Sequence, residues 1–395
     1  MDKWQQLSDK YMMPTVKRVP LTVVRGQGVR VWDGEGKEYL DFVGGWAVTS
    51  LGHSHPVVVE ALVKQAQTLV QASNQFYTIP QVQLARLLVE NSCCDRVFLC
   101  NSGAEADEGA VKLARRYGKL HLNGAYEVIT AFNSFHGRTL AMVAATGQEK
   151  FQQPYVPLPD GFVNVMFNDV SAIKAATSSK TCAVMLEPIQ GEGGVNVPDE
   201  GYLKEVRAWC DQRGILLILD EVQTGLGRLG ALFGYQLYGV EPDVLTLAKG
   251  LGSGVPVGAI LCKEKASVFQ PGEHGSTYGG NPLVCAAAYA TVKFILENDV
   301  VGNVRRVGAY LLSELEKVKS RFGGIADVRG RGLLLAMEFD RDIAEEVVLA
   351  CMGRGLLLNK VKPNTVRFIP PLIITEKEVD EALGTLNTVL KELGG

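Results

Sequence analysis

Six short runs constrain the fold of this chain more than any other feature: Arg96 to Cys100 (RVFLC), Tyr126 to Thr130 (YEVIT), Thr181 to Glu187 (TCAVMLE), Ile215 to Asp220 (ILLILD), Val244 to Ala248 (VLTLA) and Gly258 to Cys262 (GAILC). Each is nearly continuous in apolar residues and rich in branched side chains, the pattern of a strand covered on both faces. Helix-like segments such as Ala104 to Tyr117 and Gly201 to Arg213 lie between them. The alternation predicts an α/β fold whose large unit is a mainly parallel sheet with helices on both sides. Such sheets bind ligands beyond the carboxyl ends of their strands. From about Asn281 the texture changes to a long helical pattern, then RGRGLLLAMEF, another helix and VRFIPPLIITEKEVDEAL, which read as a smaller α+β unit. Near the start, VRVWDGEGKEYLDF reads as a strand hairpin turning at Asp33 to Gly36 and packed beside that unit. The expected division is an N-terminal segment over 1–50, a large ligand-binding domain over 51–280 and a small domain over 281–395.

Charge and composition narrow the partners. Forty basic and 43 acidic side chains leave a net charge of −3, which offers no electrostatic footprint for nucleic acid or an anionic membrane. No apolar stretch approaches the roughly 18 residues that span a bilayer. Met1 to Pro20 mixes charges and amides where an export signal would carry an apolar core, so a cytoplasmic protein acting on small molecules is expected. The 8 cysteines include no C-x-x-C pair and read as reduced, mostly buried thiols. His53 and His55, beside Pro56, have no third ligand at a recognisable spacing; core or turn roles are expected, and no metal.

Chemistry gathers at the strand ends. Glu187 and Asp220 close their strands, and Lys249 follows VLTLA directly. A buried carboxylate after ILLILD is costly unless a positive group pairs with it, and a ring nitrogen that must stay protonated is such a partner. A lysine among the small residues of AKGLGSG has the reach and partial desolvation that make an amine a carbonyl nucleophile. These are the needs of a pyridoxal phosphate enzyme. The turn Asn101-Ser102-Gly103-Ala104, between a strand and a helix, offers backbone N–H groups and a positive helix end for a phosphate. A competing signal, Gly225 to Gly230 (GLGRLG), matches the dinucleotide fingerprint G-x-G-x-x-G. Its first glycine falls too far beyond Asp220, and ALFGYQLYG makes a poor crossover helix, so it is set aside.

The runs NSGAEADEGAVKLARR, FHGRT, EPIQGEGG, LDEVQTGLGR, LAKGLGSGVPVGA, HGSTYGGNPL and RFIPP, in that order, resemble the class III, ornithine-type pyridoxal phosphate aminotransferases over nearly the whole chain. Within the class, FHGRT is similar to the acetylornithine branch, where ornithine δ-aminotransferases place a tryptophan at His136. The resemblance implies a homodimer of the type I fold for these enzymes. Lys249 resembles the lysine that carries the cofactor and shuttles the proton, and Asp220 the partner of the pyridinium nitrogen. Gln223 would reach the ring's 3-oxygen, Phe135 would stack on the ring, and Ser102, Gly103 and Ala104 would form the phosphate turn. Thr277 resembles a phosphate ligand donated across the dimer interface, with Ser276 beside it facing the substrate.

The same resemblance implies a transfer from the distal amine of N2-acetylornithine to 2-oxoglutarate. Arg367 would take the α-carboxylate of glutamate, and Arg138 the carboxylate of the acylornithine or the side-chain carboxylate of glutamate. Glu192 would be the switch that hides Arg367 while the terminal amine reacts. Trp46 departs from the small or branched apolar residue usual there, which leaves succinyl or a longer carrier-linked acyl group open behind acetyl. The alternatives are another class III ω-aminotransferase, acting on succinylornithine, ornithine or 4-aminobutyrate, and, more remotely, an NAD-dependent dehydrogenase using GLGRLG or a binding protein without catalysis.

Overall fold

In a computed structural model, which describes residues 2–394, the apolar runs assemble one seven-stranded sheet. Its order is Arg96–Cys100, Gly258–Cys262, Val244–Leu247, Leu216–Asp220, Thr181–Leu186, Glu127–Ala131 and Phe162–Val165. The last five pair in parallel, and every residue of Thr181–Leu186 and Leu216–Asp220 is buried. Successive residues of a strand face opposite ways, and the core divides accordingly. Leu217 and Leu219 join Leu203, Val206 and Cys210 of the helix Tyr202–Arg213, whereas Leu216 and Ile218 join Ala106, Ala110 and Ala114 of the helix Gly103–His121.

The structure corrects the sequence reading in two places. Gly258–Cys262 runs antiparallel to both of its neighbours. A parallel return needs a crossover of about a dozen residues or more, and the loop leaving Val244–Leu247 holds only the short helical turn Lys249–Leu251. Phe162–Val165 is a seventh strand that the apolar pattern missed, because as an edge strand it is only half-buried.

The C-terminal part supplies the helices Pro282–Glu297 and Val300–Arg321 and a four-stranded antiparallel sheet, Ile325–Arg331, Leu334–Phe339, Thr365–Phe368 and Asn359–Lys362. The early hairpin forms as Arg30–Asp33 and Glu38–Asp41, and the latter pairs in parallel with Leu356–Leu357. Arg228, in the loop after Asp220, donates to the carbonyls of Leu333 (3.1 Å) and Pro370 (2.5 Å), tying that loop to the C-terminal strands. Gly225 to Gly230 forms only turns, and the following helix is limited to Tyr235–Tyr238. His53 binds Asp41 at 2.7 Å, and His55 caps the helix Pro56–Thr68 against Phe294. All 8 cysteines are free thiols. No helix of the described residues is long and apolar enough to cross a membrane.

Candidate active site

A cavity of about 470 Å³ opens at the carboxyl ends of the central strands. Asp220 ends the middle strand and points into it, 3% exposed. One carboxylate oxygen lies 2.7 Å from His136 Nδ1 and the other accepts the Val222 N–H at 2.9 Å. Burial alone would raise this carboxyl, but the hydrogen bond and charge of His136 hold it below the ordinary aspartate value. His136 is itself pushed up by Asp220 against the cost of its burial, and its Nε2 has no partner.

Lys249 begins the short turn after Val244–Leu247 with φ +38°, a left-handed conformation that a lysine holds only when its surroundings impose it. Its side chain lines the cavity and donates no hydrogen bond among the described residues. Burial lowers its pKa, with Arg367 adding to the effect and Glu192, Asp220 and Glu187 opposing it. The result is an amine that loses its proton more readily than a surface lysine does.

At one end of the cavity Ser102 caps the helix Gly103–His121 by accepting the Glu105 N–H at 3.2 Å. Among the described residues the N–H groups of Gly103 and Ala104 have no acceptor, so this helix end can receive an anion. Gly137, at φ +133°, lets the FHGRT loop lie on the helix start; a Cβ there would stand 2.7 Å from that of Ala104. Phe135 lines the cavity with its N–H donated to Glu187 at 3.1 Å. Glu187, expected as a strand-end acid, is 6% exposed, and burial raises its carboxyl to about 7.

An ion pair stands at another side of the cavity, buried at its arginine and partly exposed at its glutamate. Arg367, fully buried, places Nη1 2.8 Å from Glu192, while its other nitrogens reach Asn359 at 2.7 and 3.1 Å. Gln223 bridges the pair, accepting from Arg367 at 3.0 Å and donating to Glu192 at 3.1 Å. Burial opposes the charge on Glu192, but Arg367 and Lys249 outweigh it and hold the carboxyl at about 2. Arg138, exposed at the rim, stacks over Phe151 at 3.9 Å and pairs with no carboxylate among the described residues.

The structure therefore gathers Ser102, Gly103, Ala104, Phe135, Arg138, Glu192, Asp220, Gln223 and Lys249 around one cavity, with Arg367 behind Glu192. Ser276 and Thr277 do not line it; Ser276 binds Asn101 at 3.1 Å, and Thr277 is exposed. Sequence reasoning gave no role to His136, Asn359 or Asp107. Asp107 carried a legible signal, since it shares the apolar stripe of its helix with Ala106, Ala110, Val111 and Ala114.

The chain matches the family described as aminotransferase class-III over residues 11–390. It is 51% identical to the acetylornithine aminotransferase of Caldanaerobacter subterraneus over 97% of this chain and 98% of that one. With the acetylornithine aminotransferase of Methanocaldococcus jannaschii it shares 47% identity over 99% of each. Among solved structures, the ornithine aminotransferase of Toxoplasma gondii superposes with a TM-score of 0.96 at 35% identity, covering 99% of this chain and 95% of that one. The acetylornithine aminotransferase of Elizabethkingia anophelis does so with a TM-score of 0.88 at 34% identity over 98% of each. With a family match over residues 11–390 and a relative 51% identical over nearly the whole of both chains, this chain belongs to the class-III aminotransferases.

Proposed function

We propose that this aminotransferase moves the distal amino group of N2-acetylornithine to 2-oxoglutarate with pyridoxal phosphate, giving N-acetylglutamate 5-semialdehyde and glutamate, as a step toward arginine in the cytoplasm. The observation that carries this reading is the Glu192–Arg367 pair beside the Lys249 amine. A substrate that reacts through its distal amine needs Arg367 covered. Glutamate, which reacts at its α-carbon, needs the same guanidinium open for its α-carboxylate. One carboxylate that can cover or uncover one arginine meets both demands.

The residues present fit the cofactor. Asp220 with its His136 partner suits a ring nitrogen that must stay protonated, the free N–H groups of Gly103 and Ala104 suit a phosphate, and Phe135 offers a ring face. When bound, pyridoxal phosphate supplies an electron sink for the negative charge that develops at the substrate carbon. Lys249, its amine already inclined to lose a proton, moves the proton off and onto the carbon that bears the reacting amine. Gln223 steadies Glu192 and Arg367 while they are paired. Arg138, free at the rim, receives the carboxylate of the acylornithine or the side-chain carboxylate of glutamate. Thr277, exposed outside its own cavity, fits a ligand supplied to the cavity of a second copy, which would make the site complete only in a homodimer. In this reading 51–280 is the large domain that holds the cofactor, 281–395 is the small domain, and the segment 1–50 packs with it.

Two experiments test the proposal. Borohydride reduction of the loaded protein followed by peptide mapping should label Lys249, and a label on any other lysine removes the mechanism. Single-turnover reaction with acetylornithine, succinylornithine, ornithine and 4-aminobutyrate, followed by cofactor absorbance, should rank acetylornithine first. A different leader would assign another distal amine.

A further inference from the structure

Asp107 is the buried acid that the chemistry above does not use. It sits on the sheet-facing side of the helix Gly103–His121, 1% exposed, and one of its oxygens accepts the Thr246 hydroxyl at 2.6 Å. A carboxyl oxygen of Asp107, one of Asp220 and a ring nitrogen of His136 all lie within 4.8 Å of one another. The charged groups facing this point come from every neighbouring element: Asp220 from the middle strand, Glu187 from the strand beside it, His136 from the FHGRT loop, and Lys249 at the cavity floor. His136 contacts Asp220 directly, through Oδ2 at 2.7 Å.

Two buried carboxylates within 4.8 Å repel each other, which favours the state in which one of them keeps a proton. The contacts decide which acid keeps it. Asp220 accepts from His136 and from the Val222 N–H, both of which favour its charged form, whereas Asp107 accepts one neutral hydroxyl. Burial and the charge of Asp220 also push the Asp107 carboxyl well above the usual range.

Resting on the reading of Asp220 as the group that faces the ring nitrogen, we infer that Asp107 is a positioning residue: protonated, it lends its O–H to Asp220 from the helix side while His136 holds it from the loop side. Asp220 is thereby fixed between two donors with a single negative charge left for the cofactor. Ionisation of Asp107 at higher pH would add a second charge beside Asp220 and turn a donor into a repelling neighbour.

The test uses the apoprotein, Asp107→Asn and Asp107→Leu. Infrared spectra of the apoprotein at neutral pH should lose one component of the protonated-carboxyl C=O band in Asp107→Asn, while the components from Glu187 and Glu221 remain. Asn keeps a donor, so its uptake of pyridoxal phosphate should stay near wild type and should not weaken at alkaline pH as the wild type's does. Leu offers no donor, and its affinity for the cofactor should fall about tenfold or more, the loss of one hydrogen bond to a charged group. An unchanged carboxyl band in Asp107→Asn, or a folded Asp107→Leu protein with wild-type cofactor affinity, overturns the inference. If the Leu protein does not fold, the infrared comparison still decides. A wild-type apoprotein that takes up no pyridoxal phosphate would instead defeat the cofactor reading, leaving the infrared band to test Asp107 alone.

Discussion

Replacing Asp220 with Asn separates the chemistry of the site from its stability. In the wild type Asp220 is an ionised group surrounded by two other buried acids, Asp107 and Glu187, and by His136 at 2.7 Å. The amide has the same shape, keeps an acceptor for the Val222 N–H and removes the charge that faces Glu187, which offsets part of the loss of the His136 charge pair. Without Asp220, His136 also loses the influence that keeps it protonated, so no uncompensated charge remains. The melting temperature of the apoprotein should therefore change little. Catalysis is different, because a neutral amide cannot hold a proton on a ring nitrogen. Breaking one side of a buried charge pair costs about 3 to 5 kcal/mol. At about 1.4 kcal/mol per factor of ten in rate, the loss should be at least about a hundredfold. The assay pairs single-turnover kinetics on acetylornithine with thermal denaturation of the apoprotein. Near wild-type rates would place the cofactor ring elsewhere, and a collapse in stability equal to the loss of rate would make Asp220 a structural residue.

Further predictions follow from the same geometry. Lys249→Ala should abolish turnover while preserving circular dichroism and melting, because the side chain donates no hydrogen bond and fills cavity instead of core; measurable steady-state turnover would refute the role. Apoprotein stability should depend on pH through two buried acids, Glu187 and Glu221, each raised to about 7 by burial. A folded-state value above the unfolded one means that the native state holds the extra proton. Their contribution is thus complete below the unfolded value of 4.5 and is lost as pH rises to about 7. Glu192 acts in the opposite sense: held at about 2, it stabilises above the unfolded value of 4.5, and that stabilisation disappears as pH falls toward 2. Denaturant titrations across this range should show a smaller neutral-side decline in Glu221→Gln than in the wild type.

How much of this was legible in the sequence follows from which interactions are local. Strands buried on both faces wrote themselves as unbroken apolar runs, and the residues at their ends, Asp220 and Lys249, could be found by position alone. Phe162–Val165 escaped because an edge strand need not be apolar throughout. The antiparallel turn-back of Gly258–Cys262 escaped because strand composition does not encode direction; only the length of its connection does. At the site, the Glu192–Arg367 pair spans two distant segments and was reached through family resemblance, not through spacing. His136 and Asp107 were overlooked for a different reason: their roles lie in binding another side chain, and nothing in FHGRT or in an alanine-rich helix says that Asp220 lies across the gap.

The central claim is that one carboxylate allows a single pocket to serve two substrates. Arg367 is fully buried with Glu192 at 2.8 Å, so Glu192→Ala leaves that guanidinium open to any α-carboxylate. Stopped-flow measurement of kcat/KM for the two half-reactions isolates the effect, because a change of preference is a difference between two transition-state energies and cancels general damage. The account predicts that glutamate reacts with Glu192→Ala as well as with the wild type or better, while acetylornithine reacts more slowly. An equal fractional loss for both substrates would contradict it and would make Glu192 a structural partner of Arg367.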